Sequence, residues 1–273
     1  MKTLILAFSL GALSLLGCTS QKSDVQILCE QMDAHLQMSE GGQLIAASIK
    51  AHGGLETWLN NEVLEFRWVY HMRDRGPDAV VNTKQSVDTR SRQARHTVAG
   101  SDVTFGWTGS EAWIAPADAE FSPPPRFWAL TPYYFVAIPF VFADSNASFE
   151  KLDDFTFEGT TYQQVMVTYE AGAGDSPDDY YKVLLHPETH LVGGALYIVT
   201  SKLVAPGGPG PEKLITLEAY KNVGGIQLPS KHRTFTMDAG TAGEHIRDAE
   251  ATEYAWKPRG SVNFSIPAGA GTH

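Results

Sequence analysis

The chain has 273 residues, of which 43% are hydrophobic and 19% charged, with a formal net charge of −10 and two cysteines. This is the composition of a globular protein long enough for one large β-domain or two small domains. Its acidity argues against nucleic acid or another polyanion as a partner, and it supplies no polybasic patch for a membrane surface.

At the N-terminus, Lys2 precedes an apolar run over residues 4–16, and Gly17 is the small residue before Cys18. The run is shorter than the roughly 20 apolar residues of a comfortable membrane span. It has the three parts of an export signal. Leu15-Leu16-Gly17-Cys18 resembles the lipobox of bacterial lipoprotein precursors. The resemblance implies that residues 1–17 are a signal peptide, that cleavage falls before Cys18, and that Cys18 is lipidated on its thiol and new amine. Each buried methylene contributes about 0.8 kcal/mol, so several acyl chains anchor firmly. Membrane attachment then falls to this N-terminal lipid. By the same resemblance, Thr19 in place of Asp favours the outer membrane. With Cys18 so used, Cys29 has no partner for an intramolecular disulfide.

Residues 18–40 read as the lipidated Cys and a polar tether with a helical piece around 25–37. The folded domain is expected over 41–257, followed by a C-terminal tail, 258–273. Within residues 43–52, Leu44, Ile45, Ser48, Ile49 and His52 sit at helical spacings, and Gly53-Gly54 stops the helix. Leu55, Trp58 and Leu59 suggest one more short turn. Leu64, Phe66, Trp68, Tyr70 and Met72 then alternate with Glu65, Arg67, Val69, His71 and Arg73. That period of two predicts a strand with Trp68 and Tyr70 on the covered face and Arg67 and His71 on the other. Strand-like runs follow at 80–88, 93–98, 103–107, 112–115, 156–160, 163–170, 180–185, 194–201, 213–220, 230–237 and 246–256, separated by turn sequences such as Asp74-Arg75-Gly76-Pro77.

Residues 123–143 break the pattern. They show no alternation, they contain seven aromatics, including Phe127, Trp128, Phe135 and Phe140, and their prolines divide them into short helical pieces. About eleven strands, an N-terminal helix and this one interruption point to a large curved antiparallel sheet with helices over one face. An exposed aromatic face would aggregate, so 123–143 is expected to act as a second cover. Phe127, Trp128, Phe135 and Phe140 would face Phe66, Trp68, Tyr70 and Trp113. These side chains either line an apolar cavity or fill a core; an open half-barrel with a separable lid leaves room for the former.

Three phrases accompany this order of elements: Ala51-His52-Gly53-Gly54-Leu55 with Trp58, Asp179-Tyr180-Tyr181 leading to His186-Pro187-Glu188-Thr189, and the strand–turn–strand run from Tyr220 through Gly224-Gly225 to Pro229. With the order of elements they resemble the Lol-type carriers, LolA and LolB, and Lol-like outer-membrane lipoproteins. The likeness spans most of residues 41–257. It implies a mainly β (α+β) fold, an incomplete barrel closed by helical segments around an apolar cavity. Fold alone does not imply activity.

Other chemistries find less support. His186 and His190 are four apart, but Pro187 places them in a turn and no HExxH or Cys pair accompanies them. Gly-x-Ser-x-Gly is absent. The acid pairs Asp153-Asp154 and Asp178-Asp179 lie beside turn sequence. Gly207-Gly208-Pro209-Gly210 lacks the Lys and following helix of a phosphate loop, so no cofactor is expected. The leading expectation is a non-enzymatic envelope lipoprotein that binds a lipid or acyl chains. An envelope enzyme acting on a lipid or glycan, and a scaffold holding another envelope protein, stay open beside it.

Overall fold

The computed structural model describes residues 22–170, 176 and 178–272. The apolar N-terminal run, Cys18 and Thr19 lie outside the described residues. Helices α1 (Asp24–Leu36), α2 (Glu40–Ala51) and α3 (Leu55–Asn60) come first. The Ser23 hydroxyl accepts from the Gln26 N–H while the Gln26 side chain accepts from the Ser23 N–H, which satisfies donors that the first turn of α1 leaves over.

Helix α1 occupies the stretch expected to be a polar tether. Its apolar stripe is narrow: Val25, Leu28, Cys29 and Met32 are partly buried against the core and Leu36 is fully buried. These positions recur at spacings of three and four, the helical period. His35 Nε2 lies 2.8 Å from the Ala147 carbonyl oxygen. The folded part therefore includes α1 and does not begin at Gly41.

The first strands are β1 (Val63–Met72), β2 (Val80–Asp88), β3 (Ala94–Val98), β4 (Thr104–Trp107) and β5 (Ala112–Ala115). Two short helices, α4 (Pro125–Trp128) and α5 (Thr131–Ala137), and a 3-10 turn at Phe140–Phe142 follow. The second group is β6 (Ala147–Phe157), β7 (Thr160–Tyr169), β8 (Tyr181–Leu185), β9 (Val192–Tyr197) and β10 (Lys213–Thr216). A small hairpin, β11 (Lys221–Val223) and β12 (Ile226–Leu228), precedes β13 (Lys231–Asp238), β14 (Thr241–Lys257) and β15 (Gly271–Thr272).

Among the described residues, thirteen strands form one sheet in the order β15-β5-β4-β3-β2-β1-β14-β13-β10-β9-β8-β7-β6, and the pairings are antiparallel. The sheet stays open, because β15 and β6 stand at its two ends. This is the incomplete barrel that the Lol-type resemblance implies, with more strands than the sequence suggested. Strand β6 starts at Ala147, well before residue 156. Its first half alternates weakly because Glu150, Lys151, Asp153 and Asp154 lie in it and the register shifts between Leu152 and Phe155. Charges and bulges are ordinary on an edge strand.

Register assigns the faces. Phe66 pairs with Gln85, Gln85 with His96, His96 with Phe105 and Phe105 with Ile114, and this row is buried. It lies on the face that the helices cover. Leu64 and Trp68 share that face and are buried, while His71 on the other face is exposed. The neighbouring row, Glu65, Ser86, Arg95, Gly106 and Trp113, points the other way. The core fills the concave side: Ile45, Ile49 and Trp58 from α2 and α3, Tyr133, Val136, Phe140 and Phe142 from the mid-chain segment, and Val165, Val183 and Ala195 from the sheet. A smaller apolar cluster of Leu184, Leu196, Leu214 and Phe235 lies apart from it.

Candidate functional site

The proline-divided segment does two jobs. Its second half is core: Val136, Ala137, Ile138, Phe140, Val141 and Phe142 are almost fully buried. Its first half roofs a cavity of about 670 Å³, within the range of roughly 300–1,000 Å³ usual for small-molecule sites. Phe127, Trp128, Leu130, Thr131, Tyr134 and Phe135 form the roof. The sheet supplies Trp68, Tyr70 and Met72 from β1, Tyr169 from β7, Tyr181 from β8, Tyr197 from β9, Lys213 and Ile215 from β10, and Arg247 from β14. Residues 198–211 close one side through Val199, Val204, Ala205 and Pro211.

Five of the residues expected to line a cavity are brought together there: Trp68, Tyr70, Phe127, Trp128 and Phe135. Trp128 and Tyr70 rings stand 5.3 Å apart, and Phe135 packs edge-on to Tyr197 at 5.1 Å. Three expected residues lie elsewhere. Phe66 shares the concave face but is fully buried with its ring 5.6 Å from Tyr254. Phe140 stacks flat on Trp58, 4.4 Å between centroids with planes 2° apart, and is core. Trp113 belongs to the opposite row, and the Arg95 guanidinium lies 5.2 Å from its ring.

No local sequence pattern marks the polar side of the cavity. Tyr181, Tyr197 and Lys213 lie on three different strands, and only the register lines them up, Tyr181 opposite Tyr197 and Tyr197 opposite Lys213. Arg247 Nη1 donates to the Tyr70 hydroxyl at 3.0 Å, and its Nη2 donates to Asp74 at 3.1 Å. Away from these cations, Asp179 accepts from the Thr200 N–H at 2.6 Å and from its hydroxyl at 2.7 Å, and burial raises its pKa. Asp144 is paired with Arg92 at 3.3 Å. Burial raises the pKa of Tyr134, Tyr169, Tyr181 and Tyr197 above the ordinary phenol value. These tyrosines therefore stay neutral and serve as amphipathic wall. Among the described residues the lining holds no histidine or cysteine.

Four histidines elsewhere serve the fold. His52, His96 and His232 are buried, each with one ring nitrogen on a backbone carbonyl, of Ser48 at 2.8 Å, Ala129 at 2.9 Å and Thr216 at 3.2 Å. His186 Nδ1 accepts from the Glu188 and Thr189 N–H groups, both at 3.3 Å, which organises the turn it sits in. Among the described residues no three His, Cys, Asp or Glu side chains converge as a metal site would require. A shallower cleft of about 550 Å³, between Gln93, Thr108, Arg259 and residues 262–266, lies under the C-terminal segment.

No protein-family model matches the sequence, and no curated protein matches it significantly. Solved structures do align with it. A LolA superfamily protein from Nitrosomonas europaea aligns over 86% of this chain and 94% of its own at 9% identity and a TM-score of 0.46. A DUF1329 family protein from Desulfovibrio piger covers 86% and 94% at 8% identity and a TM-score of 0.46. The Mycobacterium tuberculosis lipoprotein LppX covers 83% and 100% at 8% identity and a TM-score of 0.31.

Proposed function

We propose that this chain is a cell-envelope lipoprotein, held at a membrane by lipid on Cys18, whose cavity takes up the acyl chains of a lipid or lipoprotein. The observation that carries the reading is the cavity itself: Trp68, Phe127, Trp128, Leu130, Phe135 and Ile215 give it an apolar wall, and its roof is made of short pieces, α4 and α5, with Leu130 between them. Pieces joined at such a break shift more readily than one continuous helix. An apolar chain entering such a space gains roughly 0.8 kcal/mol per methylene buried. The lipobox-like run before Cys18 and the small residue Gly17 support envelope export, and Thr19 favours the outer membrane among the two.

The test uses residues 18–273 with Cys18→Ser, made without acylation. Native mass spectrometry is expected to show co-purified lipid, and a fluorescent fatty acid is expected to bind saturably with one site per chain. A protein that carries no lipid and binds no apolar probe would overturn the reading.

A further inference from the structure

Resting on the acyl-chain reading of the cavity, we propose that the end formed by Lys213, Arg75, Arg247 and Tyr70 is a subsite for the anionic headgroup, a carboxylate or phosphate, of the bound amphiphile. The ligand would thereby enter in one orientation, with its chain against Trp128 and Phe135.

The placement follows from the sheet. Ile215 faces the core, so Lys213, two residues earlier on β10, points to the same concave side and lines the cavity. Arg247 and Arg75 line the same cavity, and Asp74 is the acid beside them. Arg247 holds Asp74 through both its Nε and Nη2, at 3.4 and 3.1 Å. That pair is neutral as a unit. The side chains of Lys213 and Arg75 make no ion pair or hydrogen bond within the described residues. Another lining cation, Arg126, is engaged elsewhere, stacked over Trp107 at 3.5 Å.

A half-buried ammonium with no carboxylate is costly unless something anionic meets it. Burial and the nearby Arg247 both push the Lys213 pKa down, and Asp74 only partly opposes them. In a chain of net charge −10, two cations that share the one nearby carboxylate, Asp74, with Arg247 make a local site for an anion at this end of the cavity. Arg75 is exposed, so this end reaches solvent, where a charged headgroup can keep part of its hydration. Tyr70 accepts from Arg247 and keeps its own O–H to donate. Asp144, paired with Arg92, and Asp179, which accepts from Thr200, line the cavity next to Tyr134 and Tyr181 and supply no cation there. The charge distribution therefore selects the orientation as well as the chemistry.

The experiment compares a fluorescent long-chain fatty acid with its methyl ester on residues 18–273 carrying Cys18→Ser. The acid is expected to bind about tenfold more tightly than the ester, a difference of roughly 1.4 kcal/mol. Lys213→Met should remove most of that preference, the acid losing more affinity than the ester, and Lys213→Arg should restore it. Arg75→Gln, at an exposed position, gives a second variant with little risk to folding, and it should reduce the preference in the same direction. Acid and ester bound equally by the unsubstituted chain, or an equal loss of both in Lys213→Met, would overturn the headgroup subsite while leaving the acyl-chain cavity standing. Failure to bind either probe would sink the cavity reading itself. Inorganic phosphate that displaces the acid at concentrations where the acid itself saturates would mean that a free anion is the occupant, and would also overturn the proposal.

Discussion

Gly53 and Gly225 meet backbone to backbone: a β-carbon built on Gly53 would lie 2.2 Å from the Gly225 carbonyl oxygen. Gly53 also has φ +118°, a conformation that L side chains rarely adopt. The contact docks the β11–β12 hairpin on the end of α2, where the Gln227 N–H donates to the His52 carbonyl at 2.9 Å and the His52 and Tyr220 rings meet edge-on at 5.2 Å. Gly53→Ala should therefore destabilise the fold by about 2–5 kcal/mol, combining strain at positive φ with overpacking. Gly54 has φ +87° and open space around it, so Gly54→Ala should show the strain alone, about 1–3 kcal/mol. Urea unfolding of the two variants measures the difference, and equal losses would show that the glycine–glycine contact does not matter.

That contact also shows what was legible beforehand. The phrases around His52 and around Gly224-Gly225 were visible as local punctuation, but nothing in a sequence says that two turns so far apart pack on each other. Alternation along β1 was enough to place Trp68 and Tyr70 inside, because the bulky apolar residues Leu64, Phe66, Trp68, Tyr70 and Met72 recur at every second position there. It was not enough for Trp113, since Ala112, Trp113 and Ile114 are three apolar residues in a row, all buried, and only pairing with β4 decides which faces in. Phe140 sits in a segment without any period, so core and lining looked alike. Lys213, Tyr197 and Tyr181 became a site only through register. The narrow stripe of α1 was hidden by the polar residues around it.

Acid should destabilise this protein before its carboxylates titrate. Burial lowers the pKa of His52 and His96 to about 4 and of His232 to about 3. In the unfolded chain these imidazoles take up protons near pH 6.5. Between those values the unfolded state binds more protons, so stability rises with pH and is lost as pH falls through the window from about 6.5 to 4. Each buried histidine should account for on the order of 3 kcal/mol by pH 4. Urea midpoints measured at several pH values across this window check it. A midpoint that stays constant from pH 7 to 4.5 would contradict the burial of these rings.

The segment expected as a tail is tied to the sheet. Arg259 contacts Asp88, whose side chain is 1% exposed and also accepts from the Arg90 and Ser91 N–H groups at 2.9 Å. Phe264 is buried and β15 pairs with β5. Arg259→Ala leaves a buried carboxylate without its guanidinium and should cost about 1–3 kcal/mol. Truncation after Lys257 should cost more, because it also removes Phe264 and uncovers the edge of β5. Thermal melts that match the full chain in both cases would show that this segment is dispensable.

Lipid attachment makes a separate prediction. Cys18→Ala should yield a precursor that incorporates no labelled fatty acid and does not sediment with membranes, since the thiol expected to carry the lipid is gone. Equal labelling of the variant would exclude Cys18 as the acceptor.

The two halves of the mid-chain segment should respond oppositely to substitution. Phe135 lines the cavity and touches Tyr197. Phe127 lines it too and is only partly buried. Phe127→Ser and Phe135→Ser should therefore weaken binding of a fluorescent fatty acid while the sheet stays folded by circular dichroism. Phe140 is stacked on Trp58 and does not line this cavity. Phe140→Ala should cost about 3–5 kcal/mol of stability, the loss expected for a large aromatic removed from a packed core, and the fraction that remains folded should bind the probe with unchanged affinity. Trp113→Ala should behave like Phe140→Ala, because its indole lies on the far face of the sheet. If the Phe135 variant unfolds as readily as the Phe140 variant, and hydrogen exchange finds residues 125–137 as protected as β1, the roof is fixed core. An acyl chain would then have to enter at the end that Arg75 opens to solvent, and a moving roof would drop out of the proposed function.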